Sequence, residues 1–121
     1  MNTKLLTVGL TCALLVAGAA EAQWIGKAWD TNTELTTQDR EIIRSTVQRE
    51  IHGRRADTVA SWANPASGHS GRITLLRKFV RQGNPCEQIE YRILTSQRTE
   101  RADRYVFNSC RQPDGSWKLA G

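Results

Sequence analysis

The sequence predicts an α+β domain: one amphipathic helix packed on an antiparallel meander sheet of about five strands, held by one disulfide. Three observations predict it. Ile43, Val47 and Ile51 recur every four residues, the spacing of a helix with one apolar face. From Asp57 onward the period falls to two, the spacing of half-buried strands. Cys86 and Cys110 stand on two of those strands, and the second precedes a Pro113-Asp114-Gly115 turn.

The N-terminus comes first, because an export signal must be set aside before the fold is read. Lys4 supplies a positive start, Leu5 to Ala20 is an apolar run, and Ala20-Glu21-Ala22 fits the small-x-small cleavage rule. Residues 1–22 are therefore expected to be a signal peptide, with the mature chain starting at Gln23. The run is shorter than the ~20 strongly apolar residues of a spanning helix, so no transmembrane segment is expected in the mature chain. Cys12 falls inside the signal, and Gly9-Leu10-Thr11 ahead of it is a poor lipobox. What remains is about 100 residues, the size of one domain.

Residues 23–35 carry Trp24 and Trp29 without sustained periodicity and read as an irregular arm. The domain proper is expected over 36–121. Thr36 or Thr37 offers an N-cap hydroxyl, and Asp39 and Glu41 place negative charge in the first turn. The helix is expected over Thr37 to His52, closed by Gly53 at C′. Thr58 to Trp62 reads as a short strand, and Asn64 to Gly71 is turn chemistry throughout. Arg72 to Arg81 alternates, with Ile73, Leu75 and Phe79 expected on one face, broken by Arg77, and Leu76 and Val80 on the other. Gln82-Gly83-Asn84-Pro85 turns the chain into Cys86 to Thr95, where Ile89, Tyr91 and Ile93 oppose Gln88, Glu90 and Arg92. Gln97 to Asp103 is polar and expected to be a loop. Tyr105 to Arg111 and Trp117 to Ala120 are the last strands, joined by a tight turn in which Gly115 takes a positive φ.

An even pair of cysteines in an exported chain is expected to be a structural disulfide, Cys86 to Cys110. Closing that loop is worth about 3 kcal/mol in the chain-entropy account. A zinc site would need two more ligands, and His52 and His69 have no paired spacing; no metal and no cofactor are expected. The chain carries 17 Lys and Arg against 12 Asp and Glu, a formal net charge of +5. In an envelope this surface could meet anionic lipid headgroups or polyanionic wall material; export argues against nucleic acid.

The candidate binding residues are Trp62, Asn64, Ser67, His69, Arg54, Arg55 and Arg111. Trp62 and Trp117 could form an aromatic platform, but a Trp beside a turn more often closes a small core. Asn64 and Ser67 are accounted for by turn hydrogen bonds, and His69 is expected to be exposed. Ser67 with His69 lacks a third orienting group and a nucleophile elbow. Glu87 and Glu90 fall on opposite faces of one strand, and Glu90 with Arg92 reads as a surface ion pair. No catalytic residue is assigned.

Two motifs carry a resemblance. Trp62-Ala63-Asn64-Pro65-Ala66-Ser67-Gly68-His69-Ser70-Gly71 and Cys110-Arg111-Gln112-Pro113-Asp114-Gly115-Ser116-Trp117 resemble the W-x-N-x-x-S/T-G-x-x-G turn and the closing C-R-x-x-D-G-x-W of the bacterial 17 kDa surface antigen family, with Cys86 at the place of its upstream cysteine. The resemblance covers Val59 to Leu119. Typical members carry a lipoprotein cysteine and a glycine-rich segment ahead of this domain, which this sequence is read as lacking. The expectation is a non-enzymatic exported envelope protein, binding or scaffolding in the periplasm or at the outer membrane, with anionic envelope components or another envelope protein as partner. The alternatives are a secreted inhibitor or effector acting through its basic loops and, further off, a wall or glycan hydrolase.

Overall fold

The computed structural model describes residues 34–95 and 103–120. The expected signal peptide, Trp24 and Trp29 lie outside the described residues, as does most of the expected loop after Thr95. Helix α1 (Thr37–Glu50) is followed by strands β1 (Val59–Asn64), β2 (His69–Arg81), β3 (Asn84–Leu94), β4 (Asp103–Arg111) and β5 (Trp117–Ala120). The strands form one antiparallel sheet in chain order, β1-β2-β3-β4-β5. This is the helix-on-meander architecture expected from the two periodicities.

The helix starts where the sequence offers a cap. Thr36 is extended, its hydroxyl accepts from the Asp39 N–H, and the Asp39 side chain accepts from the Thr36 N–H. Two N–H groups that would otherwise lack partners are thereby satisfied. The buried stripe Ile43, Val47 and Ile51 packs against Ala60 and Trp62 of β1, Ile73 and Leu75 of β2, and Ile89, Tyr91 and Ile93 of β3. Leu35, just before the cap, joins the same core.

The strands are longer than their turn chemistry suggests. Asn64 pairs with His69 as the last rung of the β1–β2 ladder, so the hairpin loop is only Pro65 to Gly68. Ser70, Gly71 and the following residues are strand.

Within β2 the expected alternation fails at one point. The register shifts between Leu75 and Arg77, which makes Leu76 the extra residue of a β-bulge. A bulge changes which side the following residues take. Ile73 and Leu75 face the helix opposite Tyr91 and Ile89, whereas Phe79 pairs with Cys86 on the other face. The expectation that Phe79 joins Ile73 and Leu75 is therefore corrected. Arg77 and Arg81 flank Phe79 there, their guanidiniums 4.5 Å and 5.6 Å from its ring centroid.

The disulfide forms as expected, between Cys86 and Cys110, which are directly opposed on β3 and β4. The last hairpin turns through Pro113-Asp114-Gly115, with Gly115 at φ +89 and Asp114 accepting from the Ser116 N–H and hydroxyl. Gly71 serves a different need. A Cβ there would strike the Arg92 carbonyl oxygen and come within 2.7 Å of the Trp62 indole nitrogen. The missing side chain makes room for the Trp62 ring on the helix-facing side of the sheet.

Two outcomes check this packing. Non-reducing peptide mapping should find Cys86 and Cys110 in one linked pair, and replacing both with Ala should lower stability by about 3 kcal/mol. Gly71→Ala should cost about 1–3 kcal/mol through overpacking, read as a lower midpoint in a denaturant titration. Free Cys86 and Cys110 thiols, or a Gly71→Ala variant as stable as the parent, would contradict the arrangement.

Candidate functional site

The polar residues of the Trp62–Gly71 motif converge on one carboxylate. Asp39 is fully buried at the third position of α1. Its Oδ2 accepts from the Thr36 N–H at 2.9 Å and lies 2.6 Å from His69 Nδ1. Its Oδ1 accepts from Asn64 Nδ2 and from the Ser67 hydroxyl, both at 2.7 Å. Burial pushes the Asp39 pKa up, but the hydrogen bonds from Thr36, Ser67, His69 and Asn64 outweigh it and hold the pKa at about 2. An ionised carboxylate only accepts, so His69 Nδ1 carries the proton it donates.

The turn bonds expected of Asn64 and Ser67 are present. Asn64 Oδ1 accepts from the Ala66 N–H, and Ser67 Oγ accepts from the His69 N–H. Beyond these turn bonds, Asn64 Nδ2 donates to Asp39 and, at 3.5 Å, to Gln38 Oε1, and the Ser67 hydroxyl donates to Asp39. His69 is not exposed, as the sequence suggested, but 9% accessible, because Asp39 draws it under the helix N-terminus. Trp62, at 5%, belongs to the core rather than to an open platform.

A second His–carboxylate pair sits at the other end of the helix. Glu87, 1% accessible, lies on the same face of β3 as Ile89, Tyr91 and Ile93. Its Oε1 is 2.7 Å from His52 Nδ1, and its Oε2 accepts from the Gly53 N–H at 2.9 Å. A carboxylate at a helix C-terminus opposes the macrodipole; these two bonds offset that cost. The other side of the His52 ring stacks on Trp117 of β5, centroids 4.2 Å apart and nearly parallel. Trp117 is half-buried and closes the helix–sheet interface through His52.

The arginine candidates lie away from the Asp39 cluster. Arg54 and Arg55 are exposed just past the helix C-terminus, and Arg54 donates to the Arg49 carbonyl. Arg111, also exposed, pairs with Trp117 and so lies near the same end. Sequence reasoning brought Asn64, Ser67 and His69 together but missed Asp39, His52 and Glu87 as their partners and counterparts. Two signals were available. Thr36-x-x-Asp39 has the form of a capping box, and the alternation of β3 puts Glu87 on the core face.

The His69–Asp39 and His52–Glu87 pairs direct their bonds at backbone and side chains of neighbouring elements. Glu87 and Glu90 do fall on opposite faces of β3, and Glu90 bonds Arg92 and Arg104. Among the described residues no group of three or more His, Cys, Asp or Glu could hold a metal ion.

The Asp39 cluster sets an acid limit. Because the folded pKa is lowered from the ordinary 3.8 to about 2, the folded state binds fewer protons than the unfolded chain between those values. The stabilisation, roughly 2 kcal/mol, is present in full above about pH 4. It is lost as the pH falls through about 2. Asp39→Ala leaves buried donors unpaired and should cost about 3–5 kcal/mol. Denaturant titrations across this range should show the acid-linked loss in the parent and a flatter profile in Asp39→Ala. Equal profiles would contradict the cluster.

The family profile described as 17 kDa outer membrane surface antigen matches residues 52–118, which include the β1–β2 hairpin, both cysteines and Trp117. A 17 kDa surface antigen of Rickettsia felis is 29% identical over 83 residues, covering 68% of this chain and 50% of that protein. The 17 kDa surface antigens of Rickettsia prowazekii and Rickettsia rickettsii are 26% and 28% identical over the same length and coverage. The chain thus spans about half the length of the curated relatives it matches. No solved structure matches. With the helix, the five-stranded meander, the disulfide and the Trp62 and Trp117 motifs all falling in or against the matched region, the chain belongs to the 17 kDa outer membrane surface antigen family.

Proposed function

We propose that the chain is an exported, non-enzymatic envelope protein that binds or scaffolds, in the periplasm or at the outer membrane. The observation that carries this reading is how the reactive groups are used. Asp39, Glu87, His52 and His69 are the side chains that a hydrolase would place in a cleft, and here they hold the helix to the sheet. The relatives are named surface antigens, and the N-terminal run ending in Ala20-Glu21-Ala22 has the form of an export signal. A disulfide is at home in an oxidising compartment. No helix among the described residues is long and apolar enough to cross a membrane.

The test has two arms. Expressed with its own N-terminus in a Gram-negative host, the chain should fractionate with the envelope and begin at Gln23 by N-terminal sequencing. The purified protein should release no soluble fragments from peptidoglycan sacculi. A cytosolic, uncleaved product would overturn the export reading. Fragment release that disappears when Glu90 or His69 is replaced in a still-folded variant would overturn the non-enzymatic one.

A further inference from the structure

We propose that the open face of the sheet, opposite the helix, docks on an anionic phospholipid surface through a row of arginines. This rests on the envelope reading above and names the ligand class and the face. The ladder places Ser61, Arg72, Arg92 and Arg104 side by side on β1, β2, β3 and β4. Neighbouring strands are about 5 Å apart, so three guanidiniums stand in one transverse line. Like charges directly opposite each other destabilise a sheet. Glu90, on the same face, bridges Arg92 and Arg104 and relieves two of the three. The residues opposite Arg72 are Ser61 and Arg92, and neither is negative.

The bulge at Leu76 adds to this face. It turns Arg77 and Arg81 onto the side that carries Cys86, where Lys118 also projects, opposite Cys110. Among the described strand residues of this face, Glu90 is the one carboxylate. On the helix side Arg44 pairs with Glu41 and Arg49 with Glu50, whereas the open face sets Arg72, Arg77, Arg81, Arg92, Arg104 and Lys118 against Glu90 among its described strand residues.

The form of the face fits a lipid surface rather than a strand of nucleic acid. It is an open sheet, not a groove, and its one aromatic ring in this register, Phe79, lies between two guanidiniums instead of standing free for base stacking. Val59 and Val106, both exposed, flank Thr74 and Glu90 in the next row. Guanidiniums that match phosphate geometry, interleaved with small apolar side chains, suit a headgroup layer.

The experiment is co-flotation of the exported protein with phosphatidylcholine vesicles with and without phosphatidylglycerol, across a salt series. Binding is expected only with phosphatidylglycerol, weakening as salt rises. The variant Arg72→Gln/Arg77→Gln/Lys118→Gln leaves the Glu90 bridges intact and should bind at least about tenfold more weakly. The variant Arg44→Gln/Arg49→Gln/Lys78→Gln removes the same charge from the helix side, where Lys78 lies opposite Glu87, and should bind within about twofold of the parent. Melting curves establish that both are folded. Equal loss in the two variants would overturn the face in favour of net charge alone. Failure to float at low salt, in a protein that still fractionates with the envelope, would overturn the docking proposal and leave the envelope reading standing. Flotation of a protein that cells keep in the cytosol would overturn the envelope reading instead. Flotation abolished by soluble sacculus fragments but not by inorganic phosphate would identify a wall polymer as the partner and overturn the lipid assignment.

Discussion

The buried carboxylate of Asp39 is the constraint on which the rest of the domain depends. A single ionised group with no solvent access is tolerable only when its oxygens are filled by donors. Here those donors come from the helix cap, the end of β1, the hairpin loop and the start of β2. The cost of burying the charge is thereby converted into a geometric requirement. The helix N-terminus can sit in only one place over the β1–β2 hairpin, because elsewhere Asp39 would lose Asn64, Ser67 or His69.

Glu87 does the same at the other end. It fixes the helix C-terminus to β3 through His52 and Gly53, and His52 passes that constraint to β5 by stacking on Trp117. The disulfide begins at the neighbouring residue, Cys86, and ties β3 to β4 on the opposite face. Between the two pinned ends the apolar contact is generic: Ile and Leu side chains that would pack in several ways. In a chain of this size, with a modest core, polar pins specify the orientation that burial alone leaves loose.

This division of labour gives the two faces of the sheet different roles. On the helix side Asp39, Glu87, His52, His69 and Trp117 hold the layers together. The open side carries the arginine row, the stacked Phe79 and exposed valines, with Glu90 as its carboxylate.

Several features were legible in the residues alone. The helix follows from Ile43, Val47 and Ile51 at four-residue spacing. The meander follows from the period of two and from Pro113-Asp114-Gly115, and the disulfide from a cysteine pair in an exported pattern. These are local or compositional signals, and local signals survive without tertiary context. The hub and the faces did not show. Asp39 looked like a first-turn charge, because the donors that bury it are 25 or more positions away. His69 looked exposed for the same reason. Arg77 breaks the alternation of the β2 run, but only pairing with β3 reveals that the register slips by one at Leu76. That single slip sends Arg77, Phe79 and Arg81 to the open face. Sequence determines periodicity and chain-local bonds; which charges are buried together, and which side of a sheet a residue takes, are decided only when the strands are in register.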